Sequence, residues 1–282
     1  MEQDKLRLGR ISYLNVLPIY HPLEAGILPH PFEIVPGCPA ELNKRMAAGE
    51  LDMASVSCIE YARHPERYLL VPDLAIGSCG PVQSVLLLAR TPVENLADRT
   101  VLVSSETHTS AALLKVLFTQ HFRIPVKYRT GDATALLDAG EYPAAVLAIG
   151  DEALSLRNHP AYPHRLDLGE AWRHWTGLPF IFGIWAVRRD LGASLGRPWE
   201  LLLEAKAWSR THMDRILDRA ASGGPLKRHQ LETYFRGLVF DLGPRELQGM
   251  ARFFACLAAQ GLIPAAPEPE FAGPARALAA SA

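Results

Sequence analysis

The stretch Leu6–Tyr20, "LRLGRISYLNVLPIY", places a short strand-like run directly before a polar turn and a second apolar segment. The turn carries Ser12, Tyr13 and Asn15, and none of these side chains ionises near neutral pH. A strand, a turn and a helix in this order form the repeating unit of a sheet with crossover helices. The stretch therefore predicts an α/β fold whose first turn offers neutral hydrogen-bonding groups.

The same unit recurs through the first two-thirds of the chain. Strands are predicted at the short apolar runs 7–13, 32–36, 51–57, 84–90, 100–105 and 144–150. From Pro198 onward the strand pattern stops, and three helical stretches follow that are separated by glycine-proline turns at 223–225 and 243–244. The predicted class is α/β with C-terminal helices.

Two helices of the first half have recognisable ends. The segment "PAELNKRMAAGELD" predicts a helix that begins near Pro39 and stops at Gly49. In the segment 107–122, Thr109 or Ser110 is the predicted cap, and one helix face is apolar. That face consists of Leu113, Leu114, Leu117 and Phe118.

The composition excludes several classes of partner. Of the 282 residues, 49% are hydrophobic and 21% are charged, which is typical of a packed globular protein and unlike a disordered one. Because the net charge is −1 and there is no long run of Lys or Arg, nucleic acid is not expected as a partner. The start lacks the apolar stretch of a signal peptide, and no apolar run is long enough to cross a bilayer. We therefore expect a cytoplasmic protein without a membrane partner.

Motifs for several common activities are missing from the sequence. The four cysteines are scattered without CxxC spacing, and the ten histidines show no ligand spacing on one element, so no metal site and no disulfide framework are predicted. There is no GxSxG, GxxxxGK[ST] or HExxH pattern. This excludes the commonest hydrolase, nucleotide-binding and metalloprotease sites.

The length predicts one large or two modest α/β domains, each with its own core, and we favour two. An apolar strand ends in a Thr-Pro turn after residue 90, and a return crossing fits "PFIFGIWAVRRD". If both are hinges, residues 1–88 plus 186–282 form one lobe and residues 89–185 form the other, with a ligand between them at the carboxyl ends of the strands. The tail from about residue 264 is rich in Ala and Pro and is predicted to be disordered or loosely attached.

The turns around these strands repeat one chemistry. "SYLN" follows the first strand, "SVSCIEY" the third, "SCGPVQS" precedes the fourth and "SSETHTS" follows the fifth. Backbone N–H groups at helix starts, with Ser, Thr and Asn side chains, form sites for carboxylates or phosphates without many cationic groups. Such turns also cap helices, but four that converge favour a small anionic ligand.

Two titratable residues in these turns have alternative interpretations. His108 precedes a helix, where its imidazole could bind a carboxylate or move a proton, or could be an exposed loop side chain. Asp151 follows "VLAIG" at a strand end, where its carboxylate could cap the next helix or orient a substrate hydroxyl.

The segments "GRISYLNVLPIY", "GPVQSVLLLAR", "ETHTSAALLKVL", "AIGDEAL" and "WTGLPFIFGIWAVRRD" together resemble the chorismate dehydratase family of menaquinone biosynthesis. The resemblance covers about residues 6–263. It implies a periplasmic-binding-protein type II fold with two α/β lobes around a cleft. It also implies conversion of chorismate to 3-[(1-carboxyvinyl)oxy]benzoate and water, the entry step of the futalosine route, without a metal or organic cofactor.

The resemblance further implies roles for individual residues. Asn15 and Ser84 become the catalytic contacts, with Asn15 near the reacting carbons and the substrate's own enolpyruvyl carboxylate as the base. The predicted substrate-binding residues are Ser57, Thr107, His108, Thr109, Ser110, Gly150 and Asp151. His108 stands where the family commonly carries a basic residue.

Three other functions compete with this interpretation. A dihydroxynaphthoate synthase of the same pathway shares the fold, but its first turn is similar to "SPCPND" rather than "SYLN". A non-catalytic binder of a small anion would be expected to carry an export signal, and a ligand-sensing regulator would need a helix-turn-helix segment. The sequence does not determine the oligomeric state, and a dimer is compatible with it.

Overall fold

The computed structural model of the chain describes residues 5–105, 107–191, 197–223 and 226–273. Its first four strands belong to one sheet: β1 (Leu6–Ile11), β2 (Phe32–Gly37), β3 (Met53–Ser57) and β4 (Tyr68–Ser78). The next five form a second sheet: β5 (Val85–Ala89), β6 (Thr100–Val103), β7 (Lys127–Thr130), β8 (Ala145–Ile149) and β9 (His164–Asp167). The chain then returns to the first sheet with β10 (Phe180–Arg188) and β11 (Leu238–Val239).

Both sheets mix parallel and antiparallel pairs. The first has the order β11-β4-β10-β3-β1-β2, in which β1 pairs in parallel with β2 and β3, and β10 lies antiparallel between β3 and β4. The second has the order β7-β6-β8-β5-β9, in which β6 pairs in parallel with β7 and β8. The predicted α/β class with two lobes is confirmed.

Helices connect the strands and complete both lobes. Those before β10 are α1 (Leu17–Glu24), α2 (Pro39–Ala47), α3 (Cys58–Arg63), α4 (Thr109–Val116), α5 (Ala133–Asp138), α6 (Gly150–Leu156) and α7 (Leu168–Thr176). The C-terminal ones are α8 (Glu200–Thr211), α9 (Met213–Ala221), α10 (Arg228–Gly237) and α11 (Pro244–Ala259). The first predicted C-terminal helix is thus two helices, which are separated at His212.

The predicted apolar face of α4 is buried, but its predicted cap is wrong. Leu113, Leu114, Leu117 and Phe118 are all buried, the last two in a π-helical turn that extends the helix. The residue before the first helical turn is His108, and no side chain caps the helix there. Thr109 and Ser110 are instead the first helical residues, and both line a cavity.

The strands β4, β7, β9, β10 and β11 were not among the predicted strands. In β4, Pro72 and Asp73 interrupt the apolar run, and Asp73 has a positive φ of 54°. The segment that forms β10 was predicted as a crossing between lobes. It is a strand because both of its edges are paired, so that it joins β3 to β4.

The chain changes sheet several residues before each predicted boundary. The strand β5 already belongs to the second sheet, and β10 lies wholly in the first. The first crossing therefore falls between Ser78 and Val85, where the carboxylate of Asp167 accepts hydrogen bonds from the backbone N–H groups of Val82 and Gln83. The division into lobes of residues 1–88 plus 186–282 and 89–185 remains a prediction about domains, displaced from the strands by these few residues.

The larger apolar core is shared by the two lobes. It contains buried residues of the first sheet together with Leu87 and Leu147 of the second and Leu113 of α4. A smaller cluster around Leu88 and Leu102 covers the other face of the second sheet. The expectation that each lobe has a separate core is thus wrong, because α4 packs against β10 and α11 of the first lobe.

Within the described part of the predicted loose tail, residues 268–272 contact the first lobe. The backbone N–H of Leu70 in β4 donates to Glu270 O, and that of Ala272 donates to Leu70 O. The Tyr61 hydroxyl donates to Glu268 O, and Ala272 is buried. The tail binds because the edge of β4 offers unpaired backbone groups. The remainder of the predicted tail, 274–282, lies outside the described residues.

Candidate functional site

A cavity lies between the two sheets where β1, β3, β6 and β8 reach their carboxyl ends. The cavity is partly open to solvent. Eight of the nine predicted site residues line it: Asn15, Ser57, Ser84, Thr107, His108, Thr109, Ser110 and Gly150. The structure therefore brings the four polar turns together.

Apolar side chains complete the cavity wall. Ile11 and Val56 lie at the ends of β1 and β3, Ile76 comes from β4, Val82 from the crossing, and Phe182 from β10. None of these was predicted. Ile11 and Val56 could have been found from the sequence, because each is the last residue of its predicted strand that faces the cavity. Ile76 and Phe182 could not, because they lie on strands that were not predicted. The wall suits a ligand with an apolar body and polar substituents.

Two of the cavity hydroxyls already accept hydrogen bonds from the protein. Ser57 Oγ accepts from the side-chain amide of Asn43 at 3.1 Å, and Thr109 Oγ1 accepts from the backbone N–H of Ile59 at 3.2 Å. A hydroxyl has one proton to donate, so each of these groups keeps that proton for another acceptor. The two bonds favour Ser57 and Thr109 as donors to a ligand.

The hydroxyl of Ser84 also accepts a hydrogen bond, in this case from a C-terminal helix. The hydroxyl of Tyr234 in α10 donates to Ser84 Oγ at 3.1 Å. Ser84 Oγ also lies 3.5 Å from Val82 O, a distance at which a hydrogen bond is weak and easily exchanged for a better acceptor. Burial raises the pKa of Tyr234, which therefore remains a neutral donor. Sequence reasoning missed Tyr234 because it lies 150 residues from Ser84.

Two buried polar atoms of the cavity lining have no hydrogen-bond partner among the described residues. They are Oδ1 of Asn15 and Oγ1 of Thr107. Buried polar side-chain atoms are normally paired, and an unpaired one costs about 1–3 kcal/mol. Asn15 Oδ1 can only accept a hydrogen bond, so a group that satisfies it must carry a proton.

His108 lies in the wall as a half-buried side chain. Burial lowers its pKa, the nearby Arg63 lowers it further, and Glu60 partly opposes them. The imidazole is therefore neutral near neutral pH. Its Nδ1 lies 3.1 Å from Nδ2 of Asn43 in α2, so this contact joins the second lobe to the first.

Asp151 is the predicted site residue that does not line the cavity. Its Oδ1 accepts a hydrogen bond of 3.2 Å from the backbone N–H of Leu14, which fastens the first turn of one lobe to α6 of the other. It does not cap α6 either, since that helix begins at Gly150 with Ile149 before it and no side-chain cap. Burial raises the pKa of Asp151, and the bond from Leu14 and the charge of Arg10 oppose this rise.

Gly150 has a steric reason to be glycine. Its φ of +55° lies in the left-handed region, which favours glycine. A Cβ at this position would lie 2.9 Å from Cγ and Cδ1 of Tyr13 and 3.0 Å from its Cδ2. The ring of Tyr13, from the first lobe, thus packs directly on the backbone of the second.

Within the part of the chain that the structure describes, no group of three or more His, Cys, Asp or Glu side chains could hold a metal ion. The same residues include no helix with both the length and the apolar character needed to cross a membrane.

Comparisons with known proteins identify the family. A family model described as "Menaquinone biosynthesis" matches residues 6–259. The chain belongs to this menaquinone-biosynthesis family. The resemblance predicted from the sequence is confirmed, since a chorismate dehydratase of Thermus thermophilus is 34% identical over 198 residues, which cover 65% of this chain and 70% of that protein.

A second relative in the family carries another name. A 1,4-dihydroxy-6-naphthoate synthase of Thermus thermophilus is 30% identical over 279 residues, which cover 95% of this chain and 99% of that protein. The two relatives, which carry different names, thus match this chain at similar identity, and the alignment to the second is longer.

Solved structures confirm the predicted fold. An Archaeoglobus fulgidus protein superposes with a TM-score of 0.76 at 18% identity and covers 93% of this chain and 100% of its own. A Candida albicans protein described as having the generic periplasmic binding protein fold superposes with a TM-score of 0.67 at 10% identity, covering 92% of this chain and 90% of its own. At these identities the comparison supports the fold alone.

Proposed function

We propose that this protein is a chorismate dehydratase, which converts chorismate to 3-[(1-carboxyvinyl)oxy]benzoate and water at the start of the futalosine route to menaquinone. The family and the 34% identical relative support the pathway and the enzyme class. The observation that carries the proposal is the polarity of the cavity. Ser57, Ser84 and Thr109 are disposed as neutral donors, and Asn15 Oδ1 is a buried acceptor without a partner.

Chorismate matches this polarity group by group. It carries two carboxylates that accept hydrogen bonds, one hydroxyl at C4 that can donate one, and an apolar diene ring. The hydroxyls of Ser57, Ser84 and Thr109 bind the carboxylates, and Asn15 Oδ1 accepts from the C4 hydroxyl. The apolar wall packs against the ring, and binding of all three parts at once fixes the reacting conformation.

The reaction removes a proton from C3 and the hydroxyl from C4. The electron pair of the C3–H bond forms the C3–C4 double bond of the aromatic ring, the C4–O bond breaks, and the proton joins the departing hydroxide to give water. No Asp or Glu lines the cavity among the described residues. We assign the role of base to the enolpyruvyl carboxylate of the substrate, as the resemblance to the family implies; it takes the C3 proton and delivers it to the leaving hydroxyl.

Neutral donors suit this mechanism. A cationic guanidinium clamp would lower the basicity of a bound carboxylate, because an opposite charge stabilises its ionised form. Hydroxyl and amide donors bind the dianion with a smaller effect on that basicity. The low pKa of His108 agrees with such a site, since its neutral imidazole adds a donor without adding a charge.

The proposal is tested by incubating the purified protein with chorismate and following the loss of the diene absorbance together with product mass. Formation of 3-[(1-carboxyvinyl)oxy]benzoate supports it. Saturable binding of chorismate without turnover would favour a non-catalytic binder of a small anion instead.

The longer match to a 1,4-dihydroxy-6-naphthoate synthase favours that enzyme as a second candidate. Its substrate, cyclic dehypoxanthine futalosine, belongs in the same assay as a parallel reaction. Turnover of this compound with no turnover of chorismate would replace the first proposal with the second.

We also propose that the two lobes close on the substrate and that the reaction takes place in the cytoplasm. The bonds from Leu14 to Asp151 and from Asn43 to His108 both join the lobes and would have to break when the cleft opens. Small-angle scattering with and without chorismate tests closure, and cell fractionation tests the location.

A further inference from the structure

Asn43 lies behind the cavity wall and has no assigned role. Its side chain, on α2, is 3% exposed and makes three hydrogen bonds. Nδ2 contacts Ser57 Oγ and His108 Nδ1, both at 3.1 Å, and Oδ1 accepts from the backbone N–H of Ser57 at 3.2 Å. The amide therefore contacts one cavity residue from each lobe.

The orientation of this amide follows from its partners. A backbone N–H can only donate, so the Asn43 atom that faces the N–H of Ser57 must be Oδ1. The NH₂ group then faces Ser57 Oγ and His108 Nδ1, and it has one proton for each. Rotating the amide by 180° would set two donors against each other at Ser57 N.

The same bonds determine the tautomer of His108. Because Nδ1 receives a proton from Asn43, it must present its lone pair, and the neutral ring then carries its own proton on Nε2. The charged groups that act on the ring come from α3. Arg63 disfavours the imidazolium, and Glu60, which accepts from the Tyr68 hydroxyl at 3.1 Å, favours it. Burial has the largest effect on the pKa of His108 and acts in the same direction as Arg63, so the ring stays neutral despite Glu60.

We propose that Asn43 is a positioning residue that makes Ser57 and His108 hydrogen-bond donors toward an anionic ligand. Its amide donates to an acceptor site on each, so that the Ser57 hydroxyl proton and the His108 Nε2 proton are left for the ligand. The inference rests on the proposed function in taking the ligand to be the chorismate dianion. It goes beyond that function in assigning the donor polarity of the site to one residue outside the cavity.

The test is Asn43→Asp, which keeps the shape of the side chain and removes its N–H groups. A carboxylate still accepts from the N–H of Ser57, but it cannot donate to His108 Nδ1. The ring must then place a proton on Nδ1, either as the other neutral tautomer or as the imidazolium, and the Ser57 hydroxyl turns toward the carboxylate. While His108 is neutral, neither the Ser57 hydroxyl nor His108 Nε2 then presents a proton to the cavity.

Two readouts follow from this change. In ¹H–¹⁵N spectra of the imidazole, wild-type His108 should show a proton on Nε2 alone, and Asn43→Asp should move it to Nδ1 and raise the pKa of the ring. The KM for chorismate should rise at least about tenfold at neutral pH. The kcat/KM of the variant should increase toward acid, because the imidazolium regains its Nε2 proton, and wild type should lack this increase.

Asn95→Asp is the matched control, since it makes the same change at an exposed position of the second lobe. It should leave the tautomer, KM and pH profile unchanged. The acid-side increase in Asn43→Asp should disappear when His108→Ala is added. Its persistence without the imidazole would overturn the inference.

The tautomer measurement separates this inference from the proposed function. A proton on Nδ1 in wild type overturns the inference even if chorismate is turned over, and this spectrum needs no variant that folds. An Nε2 proton that moves to Nδ1 in Asn43→Asp supports the inference even if the protein does not dehydrate chorismate.

Discussion

Replacing Gly150 by Ala should separate the lobes at the contact between Tyr13 and α6. The new Cβ would lie 2.9 Å from two ring carbons of Tyr13, whereas carbon atoms pack best at about 3.5–4.0 Å. The ring and the α6 backbone would have to move apart by about 0.6 Å or more. Because they come from different lobes, the displacement widens the cavity between them.

A matched variant separates the backbone and steric contributions to the free-energy cost of Gly150→Ala. Alanine in the left-handed region costs roughly 1–2 kcal/mol at Gly150, which has a φ of +55°, and at Gly140, which has a φ of +76°. A Cβ at Gly140 would meet no atom within 4 Å, so Gly140→Ala carries the backbone term alone. Gly150→Ala carries in addition the steric term of an overpacked contact, about 1–3 kcal/mol.

Chemical denaturation and chorismate turnover measure where this additional cost appears. If the lobes remain closed, Gly150→Ala loses roughly 1–3 kcal/mol more free energy of unfolding than Gly140→Ala. If the cleft opens to relieve the contact, the same energy appears as a kcat/KM that is roughly 5- to 150-fold lower than in the control. Equal stability and equal kcat/KM in the two variants would refute the interpretation that Gly150 is required by Tyr13.

Three further substitutions test the site. Asn15→Asp should abolish most turnover, because it sets a negative charge beside an anionic substrate; wild-type rates at low and saturating chorismate would refute this. Ser84→Ala should lower kcat/KM by an amount that corresponds to about 1.5–3 kcal/mol of activation free energy, since it removes a donor to a charged group. An unchanged kcat/KM would exclude that contact. Asp151→Asn should be as stable as wild type or more so at neutral pH. The pKa of Asp151 is raised on folding, so wild type loses stability relative to the variant as pH rises above the ordinary carboxyl range, and parallel pH–stability curves would contradict this.

The polar turns show which site residues could be predicted from the sequence. Ser, Thr and Asn after predicted strands could be identified as candidates because strand ends of an α/β sheet meet along one edge. Six of those side chains, together with His108 and Gly150, do line one cavity. Asn43 and Tyr234 could not be found in this way, because each acts through contacts made by folding rather than by neighbours in sequence.

The crossing between the lobes is a feature that the sequence did not locate. A Thr-Pro turn after β5 is a stronger local signal than the crossing itself, so the predicted boundary lies a few residues after the change of sheet. The crossing is stabilised by the carboxylate of Asp167, which lies 84 residues from Gln83. A contact at that separation leaves no periodic pattern in the sequence.

The sequence by itself determined the α/β class and the neutral chemistry of the turns, because strand periodicity and turn composition are local properties of the chain. Its motifs also carried the resemblance to the family. Only the tertiary structure decided the polarity of that chemistry. Whether Ser57, Ser84 and Thr109 donate or accept depends on which group occupies the other side of each hydroxyl. Those groups come from distant elements, and the packing of the two lobes brings them within hydrogen-bond distance.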